Sequence, residues 1–176
     1  MTSSVRMCVL SDTHGRLAQE VVEFCQGADR ILHAGDVGSD YILPELENIA
    51  PVTCVMGNVD VAGFAPMRSK IDIAGWRILV QHIVWDRGGP SRELKLLLKK
   101  EATDLVIFGH SHQPLCRMID KTVFFNPGSC GPKRFDLPTT VGEVVLDTSG
   151  GWFRICDLVN FEETPPIIEF RFERPW

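Results

Sequence analysis

Short β-branched, apolar runs recur along the first two-thirds of the chain at residues 7–10, 30–32, 52–55, 78–80 and 105–108. Each has the composition of a buried strand. Segments of helical period separate them. Residues 17–25 put Leu17, Val21, Phe24 and Cys25 on one side and stop at Gly27, where a glycine suits the helix end. Pro44 predicts the first turn of a helix running towards Ile49, closed by Pro51. Ser91 predicts an N-cap, with Glu93 in the first turn, Leu94, Leu97 and Leu98 on the inner face, and Lys99 and Lys100 at the carboxyl end. That sign arrangement complements the helix dipole. After His112 the pattern changes to short strands near residues 115–118, 121–125, 140–146, 152–158 and 167–172, which predicts a second, mostly antiparallel sheet.

The polar residues at the carboxyl ends of the first five runs carry the chemistry. The runs lead into Asp12-x-His14, Gly35-Asp36, Gly57-Asn58, His82 and Gly109-His110-Ser111-His112. In open α/β sheets, loops leaving the carboxyl edge of neighbouring strands converge on one crevice, so these residues are predicted to meet. Any one motif alone is ordinary turn chemistry. The ordered set is not. Gly15, Gly35, Gly57 and Gly109 flank the polar positions, where a missing Cβ permits a sharp turn and close approach.

The donor set identifies the type of site. Carboxylate, amide oxygen and imidazole without a nearby thiolate suit divalent ions such as Mn, Fe, Co, Ni or Zn. Two ions roughly 3.5–4 Å apart with a bridging carboxylate form a two-metal site. Asp12, His14, Asp36, Asn58, His82, His110 and His112 supply seven donors, including four of the chain's five histidines. Two divalent ions are therefore expected, manganese first.

This ordered set resembles the calcineurin-like metallophosphoesterases, whose pattern runs D-x-H, G-D, G-N, H and G-H-x-H. With the length of the chain and the Asn126-Pro127-Gly128-Ser129 segment, the resemblance is to the small single-domain phosphodiesterase branch, which includes a retromer scaffold subunit. It implies an α/β fold, a four-layer αββα sandwich of two mixed β-sheets flanked by helices, with residues 1–176 as one domain. It also implies that Asp12, His14, Asp36 and His112 bind one metal and Asp36, Asn58, His82 and His110 the other, with Asp36 bridging. Asp36, Asn58 and His110 then lie at the reacting atoms.

The implied reaction is hydrolysis of a phosphoester, a diester before a monoester, by in-line attack of hydroxide held between the ions. Two departures bear on it. Larger relatives follow Gly-Asn with a proton-donating His, whereas this chain has Val59 and then Asp60, leaving Asp60 as a weaker candidate donor. Many relatives read His-Gly-His at the fourth ligand, whereas His82 is followed by Ile83, Val84 and Trp85.

Outside the ligand set, Asn126 and Ser129 on the Pro-Gly loop and Arg134 beside Lys133 are the candidate substrate contacts. Trp85 and Arg87 are candidates for a substrate rim, with Gly88 and Gly89 allowing their loop to move. His33 reads as a core or hydrogen-bonding histidine.

Composition narrows the partners. The chain has 176 residues, 44% hydrophobic and 23% charged, and a formal net charge of −5, which suits a globular domain and disfavours long nucleic acid. A small phosphorylated substrate remains compatible, because bound cations offset local carboxylates. No apolar stretch reaches the roughly 20 residues of a membrane span, so a cytoplasmic location is expected. The six cysteines are scattered and read as small buried hydrophobes. Cys130, close to the site loop, is the candidate reactive thiol. A homo-oligomer stays open. Two other function classes share the pattern: a non-catalytic protein-binding scaffold on the same fold, and a metal-dependent nuclease with a positive groove.

Overall fold

The computed structural model describes residues 4–86, 88–134, 136–161 and 164–173. In chain order the elements are β1 (Val5–Leu10), α1 (Gln19–Cys25), β2 (Arg30–His33), α2 (Ile42–Glu47), β3 (Val52–Cys54), β4 (Arg68–Ile73), β5 (Trp76–Gln81), β6 (Trp85–Asp86), β7 (Gly89–Pro90), α3 (Arg92–Lys100), β8 (Leu105–Ile107), β9 (Leu115–Ile119), β10 (Thr122–Asn126), β11 (Thr140–Leu146), β12 (Gly150–Asp157) and β13 (Ile168–Glu173).

Two mixed sheets carry the architecture. One has the order β13-β12-β11-β1-β2-β3 and the other β4-β5-β8-β10-β9. Strands β1, β2 and β3 run parallel, as do β5, β8 and β10, so their carboxyl ends emerge on one side. Strand alternation divides the side chains between layers. Met7 and Val9 of β1, Ile78 and Val80 of β5, Leu105 and Ile107 of β8, and Val123 and Phe125 of β10 meet between the sheets. Cys8 and Leu10 point the other way, onto Val21, Phe24, Ile42 and Leu46 of α1 and α2. Leu79, Val106 and Phe124 face Leu94, Leu97 and Leu98 of α3. The layers therefore read helix, sheet, sheet, helix, as the resemblance implies. No helix among the described residues is long and apolar enough to cross a membrane.

The capping expectation at Ser91 holds: its hydroxyl accepts from the Leu94 N–H at 3.2 Å, and Lys99 and Lys100 occupy the last turn. The expectation of a separate antiparallel C-terminal sheet does not hold. β1 pairs with β2 along one edge only, and β11 takes the other, antiparallel, with β12 and β13 beyond it. β9 and β10 instead join β8 in the second sheet. Strand β4 was not legible as an apolar run, because only alternate positions turn inward. Its hairpin to β5 is closed by Ala74 and Gly75, both at positive φ (51° and 79°), the backbone of a two-residue type I′ turn.

Candidate metal centre

Asp12 follows β1, Asp36 follows β2, Asn58 follows β3, His82 follows β5, and His110 and His112 follow β8. Parallel strands in both sheets thus deliver the predicted residues to one edge, where the two sheets meet. The backbone there is unusual. Among the described residues, seven non-glycine positions have positive φ, and five of them are Asp12, His14, Asp36, His110 and His112. Left-handed conformations are sparsely populated by side-chain-bearing residues, so surrounding contacts must hold them. Three backbone hydrogen bonds do so for the first loop: Asp12 N to Gly35 O at 2.9 Å, His14 N to Asp36 O at 3.0 Å and Gly15 N to Val37 O at 2.7 Å.

Two groups of donor atoms result, Asp12 with His14 and His112, and Asp12 with Asp36 and His82. In the first, His112 Nε2 lies 3.2 Å from Asp12 Oδ1, His14 Nε2 lies 3.7 Å from it, and the two imidazole nitrogens are 3.1 Å apart. In the second, His82 Nε2 is 3.4 Å from Asp36 Oδ2 and 4.0 Å from Asp12 Oδ1. Asp36 Oδ2 also lies 4.0 Å from His14 Nε2. Ligand atoms about 2.1 Å from one ion stand about 3–4.2 Å from each other, so these separations fit shared coordination.

The remaining atoms of the same side chains are occupied, which aims the free ones. His82 Nδ1 is 2.7 Å from the Ala34 carbonyl; a carbonyl cannot donate, so the ring proton sits on Nδ1 and the Nε2 lone pair faces the carboxylates. Asp12 Oδ2 accepts from Ser11 Oγ at 2.7 Å and from His110 N at 3.1 Å. Asp36 Oδ1 accepts from Val59 N at 3.0 Å. Asp12 Oδ1 and His82 Nε2 are left over, both buried and both without a hydrogen-bond partner among the described residues. A lone pair facing carboxylate oxygens is repulsive unless a cation stands between them, so this donor set fits a divalent metal.

Burial raises the Asp12 carboxyl, but the His112 imidazole 3.2 Å from it, the hydrogen bond from Ser11 and the charge of His82 outweigh burial and leave the group below its ordinary range. Burial also depresses His14, helped by the Arg134 charge. Both residues are thereby kept in their metal-ligating forms. His110 and Asn58 stand at the exposed rim. The His110 ring lies edge-on to His82, centroids 5.3 Å apart, and Asn58 shares a cleft of about 90 Å³ with His82, Met67 and Ile83.

The candidate substrate contacts separate into two kinds. Asn126 is buried; its Nδ2 donates to the Gly109 carbonyl at 3.0 Å and to Ser111 Oγ at 3.1 Å, while its Oδ1 accepts from Gly128 N at 2.9 Å. Ser129 Oγ, also buried, donates to the Asp12 carbonyl at 3.0 Å. Both brace ligand-bearing loops. Arg134 is exposed and shares a shallow depression with His112 and Ser129.

His33 performs a bracing role between loops. Its Nδ1 accepts from Gly35 N at 3.2 Å, so Nε2 carries the proton and meets Thr13 Oγ1 at 2.9 Å; Thr13 in turn donates to the Val37 carbonyl at 3.0 Å. Full burial pushes its pKa down to about 4, so it stays neutral.

Three expectations need correction. Asp60 cannot act as a proton donor: burial raises its carboxyl, but the N–H groups of Gly57, Gly38 and Val37 outweigh burial and hold it below the ordinary carboxylate range. Trp85 lies flat on Phe108, centroids 5.5 Å apart, and edge-on to Phe124. Half-buried, it turns that face to the core beneath α3 rather than standing free as a rim. Arg87 falls outside the described residues. Cys130 is buried, which pushes its thiol up to about 12, so it is a core hydrophobe and not a reactive thiol.

Residues 5–150 match the calcineurin-like phosphoesterase superfamily domain. A probable metallophosphoesterase of Methanothermobacter thermautotrophicus is 37% identical over 141 residues, covering 76% of this chain and 81% of the relative. A phosphodiesterase of Methanocaldococcus jannaschii is 26% identical over 164 residues, 85% and 97% of the two chains. Among solved structures, zinc-complexed Vps29 from Entamoeba histolytica superposes with a TM-score of 0.77 at 18% identity, covering 96% of this chain and 99% of that one. The chain belongs to the calcineurin-like phosphoesterase superfamily.

Proposed function

We propose that this protein is a binuclear metal-dependent phosphoesterase that prefers phosphodiesters. The observation carrying the proposal is the pair of buried, unpartnered ligand atoms, Asp12 Oδ1 and His82 Nε2, set among His14, Asp36 and His112. Asp12, His14, Asp36 and His112 would hold one ion, and Asp36, Asn58, His82 and His110 the second. Asp36, whose Oδ2 faces a histidine of each set, would be shared between the two. The bound ions would supply an acidified water and positive charge against the phosphoryl oxygens.

The chain's own groups do the rest. Val59 N and Ala34 O fix the Asp36 carboxylate and the His82 ring, while Asn126 and Ser129 hold the loops that carry His110, His112 and Asp12. Asn58 and His110 stand where a substrate would meet the centre. Arg134 approaches the anionic substrate from the His14 side. The name of the M. jannaschii relative supports the diester preference, and the zinc complex of Vps29 supports a divalent metal. Manganese remains the first expectation.

A second reading, a protein-binding scaffold, is favoured by the exposure of Val59, Met67 and Ile83 beside Asn58 and His82, since apolar clusters at a surface mark contacts. Turnover separates the two. An aryl phosphodiester and the matching monoester should both be assayed with added manganese and after chelation. Chelator-sensitive hydrolysis is expected, faster for the diester. Absence of hydrolysis of either ester by metal-loaded protein would favour the scaffold.

A further inference from the structure

At the opposite end of the second sheet lies a groove of about 850 Å³, within the roughly 300–1,000 Å³ typical of small-molecule sites. It opens where β5 and β8 begin and where β9 turns into β10. His82 follows the far end of β5, five residue steps along the chain from Arg77 at the groove, roughly 16 Å at strand rise. The groove therefore does not belong to the metal centre.

Its floor is apolar, formed by half-buried Leu98 and Ile119 over the buried Phe124. One wall is α3, which turns Lys95 and Lys99 into the groove one helical turn apart. Neither lysine has an ion-pair partner among the described residues. Arg77, by contrast, is neutralised by buried Asp104, with Nη2 to Oδ1 at 2.8 Å and Nε to Oδ2 at 3.0 Å. The far wall presents Asp120 and Lys121, and Thr103, whose hydroxyl donates to the Glu101 carbonyl at 3.5 Å. In a chain of net charge −5, two lysines without ion-pair partners among the described residues, over an apolar floor, describe a local complement to an anion.

We infer that this groove binds a nucleoside monophosphate without reacting with it: the base on Leu98 and Ile119, the phosphate between Lys95 and Lys99, and sugar hydroxyls against Asp120 and Thr103. A purely hydrocarbon anion would leave Asp120 and Thr103 facing methylenes, which disfavours it. A bare phosphate would leave the apolar floor unused.

The test is equilibrium binding of adenosine 5′-monophosphate to the full chain kept in chelator, so that the metal centre cannot report. Adenosine, inorganic phosphate and decanoate are the comparison probes. The nucleotide is expected to bind more tightly than any of the three. K95E/K99E should weaken it about tenfold or more, the scale of losing charge-assisted hydrogen bonds, and D36N should leave it unchanged. Because both lysines are exposed, the double variant should melt as the parent does. Shifts in the NMR resonances of Leu98 and Ile119 on titration give a readout independent of any variant. The inference is overturned by absent nucleotide binding, by binding indifferent to K95E/K99E, by phosphate or decanoate binding as tightly, or by shifts confined to the histidines of the metal centre.

Discussion

His82 Nε2 and Asp12 Oδ1 are buried 4.0 Å apart, and neither has a hydrogen-bond partner among the described residues. The distance is too long for a hydrogen bond and suits two ligands of one ion. Since His82 Nδ1 is committed to the Ala34 carbonyl, no change of tautomer resolves the contact without breaking another.

Chelation should therefore destabilise the fold as well as silence it. A ligand held at a hundredfold excess over its Kd contributes about 2.7 kcal/mol, which for a chain of this size corresponds to roughly 5–10 °C in Tm. Calorimetry with manganese and with chelator should show a gap of that order, and His82→Ala should shrink it. Equal melting temperatures in the two conditions would remove the coupling between metal and fold.

The glycine before His110 is set by contact. A Cβ on Gly109 would stand 2.8 Å from Asp12 Oδ2 and closer still to Ser11 Oγ. Gly109→Ala should cost about 1–3 kcal/mol of stability by overpacking and lower metal affinity by about 10–100-fold, as loss of groups orienting a ligand does. Gly89→Ala, with open space around it, is the control. Metal titrations that match for both variants would mean that the Asp12 loop yields without consequence.

Acid should act through His33. Its folded pKa of about 4 lies below the ordinary 6.5, so the unfolded chain takes up the proton first as pH falls. The stabilising contribution is complete above pH 6.5 and is lost towards pH 4, amounting to roughly 3 kcal/mol. Urea unfolding of metal-free protein at pH 7 and near pH 4 should show that loss, and His33→Gln should lose correspondingly less over the same interval. Identical acid sensitivity in the two proteins would remove His33 as the cause.

With Val59 in place of a proton donor and Asp60 held as an ionised brace, the proposed hydrolysis should proceed without acid assistance to the leaving group. A missing general acid forfeits about 10²–10⁴-fold in rate, most for basic leaving groups. Aryl phosphodiesters should therefore be cleaved much faster than alkyl ones, with rate falling steeply as leaving-group pKa rises. A flat dependence in single-turnover measurements would reveal an acid elsewhere.

Much of the fold and the metal centre was legible because chemistry and periodicity coincide. Apolar runs ending in Asp12, Asp36, Asn58, His82 and His110 placed those residues at strand ends, and the ends of α3 were marked by the Ser91 cap and the last-turn Lys99 and Lys100. Strand β4 escaped because Arg68, Lys70 and Asp72 alternate with half-buried neighbours, and the turn signal of Gly75 was weak alone. The assignment of β9 to β13 between two sheets depends on which strand edges stay free, a property of the assembled fold. Likewise Asn126 and Ser129 were readable as near the site but not as braces, since their partners are backbone carbonyls of distant loops. The groove beneath α3 draws its walls from three separate segments and has no sequence signature.

The most direct test of the metal centre is the metal-to-protein ratio of manganese-reconstituted wild type and Asp36→Asn, measured by elemental analysis after removal of unbound ions. A bridging carboxylate serves both ions, and its loss leaves two cations repelling at short range. Close to two ions per chain are expected in the wild type and one or fewer in the variant. A single ion in the wild type, or two retained by Asp36→Asn, would contradict the bridged two-metal centre.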